Sequence, residues 1–288
     1  MAARIRAEGP LTFDQWVEAC LYDPQEGFYS SGGSAGRRGD FITSPEVGPL
    51  FGTVLANWID KVWTNLGSPK DFVVLETGAG PGTLARSILK AKPKSLINGR
   101  YITIERSEIQ RKLHPAEAES LSSFPEESIT GVVIANELLD NLPFRLCLGD
   151  GEKWREILIT EGFKETTGNE VELPVSLPPI EGAKIPIQTK ANDWVQDALD
   201  IVDQGAVLVF DYCSTTSQMA NEPQSEWLRT YRGHEKGTNP IADPGSQDIT
   251  VNVALDQLPG EFSAISQAEF LTSHGIEELV KEGRIIWE

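Results

Sequence analysis

Among its 288 residues the chain has three cysteines, three histidines and two methionines. Cys20, Cys147 and Cys213 lie far apart, are odd in number and form no CxxC pair, which argues against a disulfide framework and a zinc site. The expectation is a reducing compartment and no metal. Basic residues are also scarce: 25 Lys and Arg stand against 43 Asp and Glu, a formal net charge of -18. A field of that sign repels phosphate backbones and anionic lipid, so nucleic acid is a poor partner. It attracts cations, such as a Lys or Arg side chain of another protein, although an acidic surface also serves solubility alone. No stretch approaches the roughly 20 apolar residues needed to span a bilayer. The opening MAARIRAEGP has no apolar run and resembles neither a signal peptide nor a full transit peptide. The reading is therefore a cytoplasmic protein of bacterial type, without membrane insertion and with a homodimer left open.

Hydrophobic residues at 40 % and charged residues at 24 % lie in the ordinary globular range, and a chain of this length can bury a large core. Leu11 to Tyr22 places Phe13, Trp16, Val17, Cys20 and Leu21 at helical spacing, with Thr12 as a possible cap. The segment 23–40 is rich in Gly and Ser and reads as loop. From Pro45 to Leu66 helical character returns, with a stripe of Leu50, Phe51, Val54, Leu55, Trp58, Ile59, Val62 and Trp63. Trp16, Trp58 and Trp63 on these stripes read as core or interface residues.

At Phe72 the pattern changes. FVVLE is a short continuous apolar run, followed at once by glycines and then by the helical TLARSILKA: strand, tight turn, helix. Further runs at Tyr101 to Ile104, GVVIANE and AVLVFDY end in Glu105, in Asn136 and Glu137, and in Asp211. Buried runs alternating with helical stretches predict an α/β fold with a parallel sheet, in which ligands bind beyond the carboxyl ends of the strands. RLCLGDGEKWREILIT reads as a hairpin turning at Gly149 to Gly151, the start of an insertion over 145–190. Residues 214–248 read as a long polar loop or lid, and after Phe262 come a strand-like FSAIS and a helical AEFLTSHGIEELV. The division expected is an N-terminal helical extension over 1–66 with a cofactor-covering loop, then a domain over 67–288.

In Glu76-Thr77-Gly78-Ala79-Gly80-Pro81-Gly82 the glycines alternate directly after a strand, which lets backbone approach a ligand that side chains would block. A dinucleotide fingerprint needs a glycine three residues after Gly80, where Thr83 stands, and a phosphate-cradling P-loop needs a lysine after Gly82. S-adenosylmethionine suits the turn better. Its positive end can be met by Glu76, and its ribose hydroxyls by Glu105 at the end of the next strand, as acidic residues do in dinucleotide folds. Glu76 could instead cap the following helix and Glu105 could be a solvated acid. Beyond the third run, Glu137 and Asp140 would lie on one side of a helical turn and are candidate substrate-side acids, or acids favoured by a helix N-terminus. Asn136 is a candidate cofactor residue or a cap. Asp40 lies in a loop before a Ser-Pro break, placed to cover the cofactor, with Ser44 a cap. His234 is a candidate proton acceptor in the long loop, where it and Tyr231, Arg232, Gln247 and Asp248 either gate a peptide substrate or merely fill a surface loop. Two rivals remain: a nicotinamide-dependent oxidoreductase, and a non-catalytic scaffold that keeps the fold.

Five motifs in order, YDPQEGFYS (22–30), GDFITSPE (39–46), ETGAGPGTLA (76–85), ANELLDNLP (135–143) and LRTYRGHEKGTNPIADPGSQDIT (228–250), make the chain resemble the MidA-like methyltransferase family, whose mitochondrial members are protein arginine methyltransferases acting in respiratory complex I assembly. The resemblance implies a Rossmann-like class I methyltransferase sheet of seven strands, a helical N-terminal extension, a β-hairpin and lid-like insertion, and methyl transfer to a protein side chain, arginine favoured. It places Gly78, Gly80, Gly82 and Glu105 on the family's cofactor motifs. Thr77-Gly78 stands where the family often has Leu-Gly, and the chain stops at Glu288 where the family usually continues into another strand.

Overall fold

A computed structural model describes residues 1–30, 49–232, 235–237 and 239–287. The chain divides into two compact units that interleave in sequence. One gathers the N-terminal residues with 137–196 and 211–259; the other gathers the chain from 49 to 136 with 197–210 and the residues after 259.

The second unit is built on five parallel strands in the order Val202–Phe210, Ile129–Asn136, Val73–Thr77, Arg100–Ile104, Glu119–Leu121. Val73–Thr77 is central and buried along its length, as its unbroken apolar run predicts for a strand covered on both faces. In register, Val74 stands beside Tyr101 and Val132, and these side chains pack with Leu84, Ala85 and Ile88 of the helix Thr83–Ala91 and Phe51, Val54, Leu55 and Ile59 of the helix Pro49–Asn65. The stripe read for the latter helix is realised except at Leu50, which is 39 % exposed. Trp58 and Trp63 lie partly buried against the same cluster. The strand expected at FSAIS does not form. Phe262 and Ile265 are exposed; alternation of apolar residues makes a strand only where a neighbouring edge supplies hydrogen bonds, and this segment has no strand partner. Helices Gln267–Ser273 and Ile276–Trp287 follow.

The two larger sheets of the first unit are antiparallel. Arg145–Gly149 pairs with Trp154–Ile159, confirming the hairpin, and Lys184–Ile187, Glu165–Glu170 and Leu11–Thr12 complete that sheet. Helix Phe13–Tyr22 buries the five residues its spacing singled out and packs them with Phe144, Leu146, Ile157, Trp227 and Val251. At about 2 kcal/mol per large apolar side chain the gross stabilisation is on the order of 10 kcal/mol. Thr12 is its N-cap, with its backbone N–H donating to Gln15 Oε1 at 3.1 Å. The segment 214–248 is not a plain loop: it holds helices Thr216–Asn221 and Gln224–Trp227, and the strand Leu228–Arg232 lies between Glu235–Gly237 and Asp248–Val251. Residues 1–66 are not one extension either, because the apolar stripe of 13–22 belongs to the core of the first unit and that of 49–65 to the parallel sheet. No helix among the described residues is long and apolar enough to cross a membrane.

Candidate functional site

The glycine turn leaves the central strand of the parallel sheet. Gly78, Gly80 and Gly82 have φ of 63°, 52° and 79°, a left-handed run that side chains rarely adopt. A Cβ on Gly80 would lie 3.2 Å from Gln110 Oε1, and one on Gly82 would lie 3.0 Å from Pro115 Cδ. Gly82 is also the N-cap of Thr83–Ala91, with no side-chain cap, so Glu76 does not serve there.

Glu105 is not a freely solvated acid. Its Oε2 accepts from Gly80 N at 3.0 Å and its Oε1 from Ser107 N at 2.8 Å. A carboxylate has about four acceptor sites, so each oxygen retains capacity for a ribose hydroxyl. The carbonyl of Gly80 accepts from His114 Nε2 at 2.8 Å, and Thr103 and Ser120 hydroxyls meet Nδ1 at 2.8 Å. A carbonyl can only accept, so the proton resides on Nε2. His114 thus steadies the turn from the next segment, a role that no sequence pattern announced.

Glu76 is enclosed by the fold. It is 3 % exposed and accepts from Tyr101 Oη at 2.6 Å. Burial pushes its carboxyl up to about 7, against the lowering effect of the Tyr101 hydrogen bond and the Arg86 charge. The folded protein therefore holds a proton here that the unfolded chain releases near 4.5, and stability falls as pH rises from about 4.5 to about 7. That interval, at about 1.4 kcal/mol per pH unit, amounts to about 3 kcal/mol. Glu76→Gln, which keeps an acceptor for Tyr101, should lose this pH dependence and unfold at higher denaturant than the parent at pH 8. Parallel stability profiles for the two proteins would contradict the assignment.

The second cluster belongs to the first unit. Glu137 and Asp211 immediately follow the strands Ile129–Asn136 and Val202–Phe210. Glu137 has φ of 51°, so the chain does not turn helically there. One 3-10 turn, Leu139–Asn141, follows, with Leu138 rather than Asn136 at its N-cap. The helical spacing expected of Glu137 and Asp140, and the cap expected of Asn136, are therefore not realised. Asp211 does the capping instead: its Oδ2 accepts from Leu139 N at 2.9 Å and Asp140 N at 3.3 Å, and its Oδ1 from Tyr212 N at 2.9 Å. Asn141 Nδ2 donates to Asp248 Oδ1 at 3.1 Å, which also accepts from Tyr29 Oη at 2.9 Å. Tyr22 stacks on Tyr29 at 5.6 Å and donates to the Asn141 carbonyl.

Asp140 is 3 % exposed, and its Oδ1 accepts no hydrogen bond from any described residue. Burial raises its carboxyl well above the ordinary range, and the charges of Asp211, Asp248 and Glu137 add to this, with Arg229 opposing. Burial likewise pushes Asp211 up to about 7, against its three N–H donors. Among the described residues no group of His, Cys, Asp and Glu has the geometry of a metal centre. Of the gating residues, Tyr231 and Arg232 are on a strand, Tyr231 is in register with Asp248, and Gln247 Nε2 donates to the carbonyls of Asn239 and Ala242, holding that loop. Asp40, Ser44 and His234 lie outside the described residues. Asp211, Tyr29, Asn141 and Arg229 were missed as site residues. Asp211 ends a strand run as Glu105 does, which was the available signal; the others had none beyond lying in the motifs or beside them.

A parallel sheet with a glycine turn and a strand-end acid docked on it defines a nucleoside-cofactor fold, and the absence of a lysine after Gly82 and of a glycine at Thr83 sets aside its phosphate-binding forms. Residues 54–274 match the family described as "Putative S-adenosyl-L-methionine-dependent methyltransferase". The chain belongs to this family, the MidA-like methyltransferases, and its cofactor is S-adenosylmethionine. It is 28 % identical over 301 residues to the Drosophila melanogaster protein arginine methyltransferase NDUFAF7 homolog, mitochondrial, covering 88 % of this chain and 67 % of that protein. With the human protein arginine methyltransferase NDUFAF7, mitochondrial, it shares 25 % over 328 residues, covering 96 % and 73 %. A Burkholderia thailandensis structure bound to S-adenosyl-homocysteine superposes with a TM-score of 0.82 at 26 % identity, over 98 % of this chain and 81 % of that one.

Proposed function

We propose that this methyltransferase methylates arginine side chains of a protein, with Gly78, Gly80, Gly82 and Glu105 holding the cofactor and Asp140 at the centre of the acids that receive the guanidinium. The observation that carries this reading is the buried Asp140 carboxylate, without a hydrogen-bond partner at Oδ1 and surrounded by the charges of Asp211, Asp248 and Glu137. Such a group is costly unless something pairs with it. A guanidinium, planar and rich in donors, matches carboxylates in pairs. The names of the relatives at about 25 % identity agree with this choice.

S-adenosylmethionine supplies an electrophilic methyl group. The chain has to align the attacking nitrogen and take its proton. Asp211, tied to three N–H groups, orients the turn; Asp140 has a free oxygen to hold the guanidinium and accept the proton. A cation binds the ionised acids, so binding displaces protons, and kcat/KM should rise with pH as the raised Asp140 carboxyl ionises. The direct test is transfer of labelled methyl from S-adenosylmethionine into a cell extract, with mass spectrometry of the labelled protein. Methylarginine is expected; label confined to lysine or to a carboxyl group refutes the arginine assignment, and cofactor binding without any labelled product favours a scaffold.

A further inference from the structure

The strands Leu228–Arg232 and Asp248–Val251 place Arg229 directly opposite Thr250, so both side chains leave the same face of the sheet, the face that also carries Asp248. The Arg229 guanidinium lies 5.1 Å from the Tyr212 ring centroid and its Nη2 donates to Asn252 Oδ1 at 2.6 Å. Its Nε and the Thr250 hydroxyl are both buried, and neither makes a hydrogen bond with any described residue. Thr250 is 6 % exposed. Two adjacent buried donors left open on a face shared with the acid cluster call for an acceptor that brings no hydrogen of its own.

We propose that Arg229 and Thr250 form a subsite for a main-chain carbonyl of the substrate peptide, beside the acids that receive its side chain. A peptide carbonyl has two lone pairs and can accept from Nε–H and Oγ–H together. It is neutral, which suits a place where Asp140 and Asp248 already supply negative charge and would repel a carboxylate or phosphate. Arg229 is then a substrate-positioning residue, its guanidinium tied to Asn252 through Nη2 and lying over the ring of Tyr212. The inference rests on the acid cluster being the side-chain site, and refines it: the enzyme reads backbone as well as side chain.

Binding to the intact protein loaded with S-adenosylhomocysteine tests it, with N-acetylarginine N-methylamide, N-acetyllysine N-methylamide and methylguanidine as probes. The arginine amide should bind about tenfold more tightly than methylguanidine, the effect of a charge-assisted hydrogen bond. Thr250→Val and Arg229→Lys should each lose most of that advantage while methylguanidine affinity and S-adenosylhomocysteine affinity stay put; the melting temperature should hold in Thr250→Val and fall modestly in Arg229→Lys, which also gives up the Asn252 hydrogen bond and the Tyr212 contact. Equal binding of the two guanidinium probes by the parent, or an advantage that survives in both variants, overturns the subsite and leaves water as the natural partner of the two donors. A fall in S-adenosylhomocysteine affinity in both variants overturns it in favour of a cofactor contact. If the lysine amide binds with the same dependence on Arg229 and Thr250 while the arginine amide does not, the subsite stands and the arginine assignment falls.

Discussion

Gly80→Val is expected to weaken S-adenosylmethionine binding by at least about a hundredfold while the protein remains folded. At φ of 52° an L side chain costs about 1–2 kcal/mol, and a β-branched one at a functional turn more, on the order of 3 kcal/mol in all. The new Cβ would also press on Gln110 Oε1 at 3.2 Å. The turn can relieve this only by moving, and two of its anchors are on Gly80 itself: the N–H bound to Glu105 and the carbonyl bound to His114. Movement would therefore carry Glu105 out of place together with the backbone. Calorimetric titration, alongside a thermal melt to show folding, gives the answer. An unchanged dissociation constant in a folded variant would show that the cofactor does not use this turn.

Asp140→Asn is expected to lower kcat/KM for an arginine substrate by two to three orders of magnitude, because truncating one partner of a buried charged pair costs about 2–5 kcal/mol. Cofactor affinity should not change. Stability should move the opposite way. The folded protein holds the Asp140 carboxyl well above its ordinary value, so ionising it at neutral pH costs folding free energy that the amide does not incur, and the variant should melt at a higher temperature than the parent above about pH 6 and at nearly the same temperature near pH 4. A gain in stability with a loss of activity is the signature of a charge retained for function. A variant that is less stable at neutral pH, or as active as the parent, would remove Asp140 from the site.

Much of this was legible in the sequence because one physical signal dominated each stretch. The run FVVLE, short and closed by glycines, specifies a buried strand, and glycines at every second position after it mark backbone free to approach a ligand closely. The stripe from Phe13 to Leu21 specified a one-sided helix, and the structure buries those residues. The 214–248 segment carries no strand signal because its strands are short and half polar; Arg229, Tyr231, Asp248 and Thr250 give no apolar alternation, since that face is kept polar. Glu137 and Asp140 do lie in one cluster, but not through the helical spacing, which the left-handed Glu137 abolishes. What the sequence could not reveal is partnership across distance. Asp211 caps a turn some seventy residues earlier, Tyr29 reaches Asp248, and His114 reaches Gly80; each depends on how the strands are ordered, which no local pattern encodes.

The central claim is that S-adenosylmethionine sits on the turn 76–82 with its ribose held by Glu105. A crystal structure of the protein with S-adenosylhomocysteine tests this most directly. The account predicts the ribose hydroxyls within hydrogen-bond distance of the Glu105 carboxylate and the ligand against the backbone of Gly78 and Gly80. Ligand density elsewhere in the fold, or at this turn with Glu105 pointing away, would contradict it.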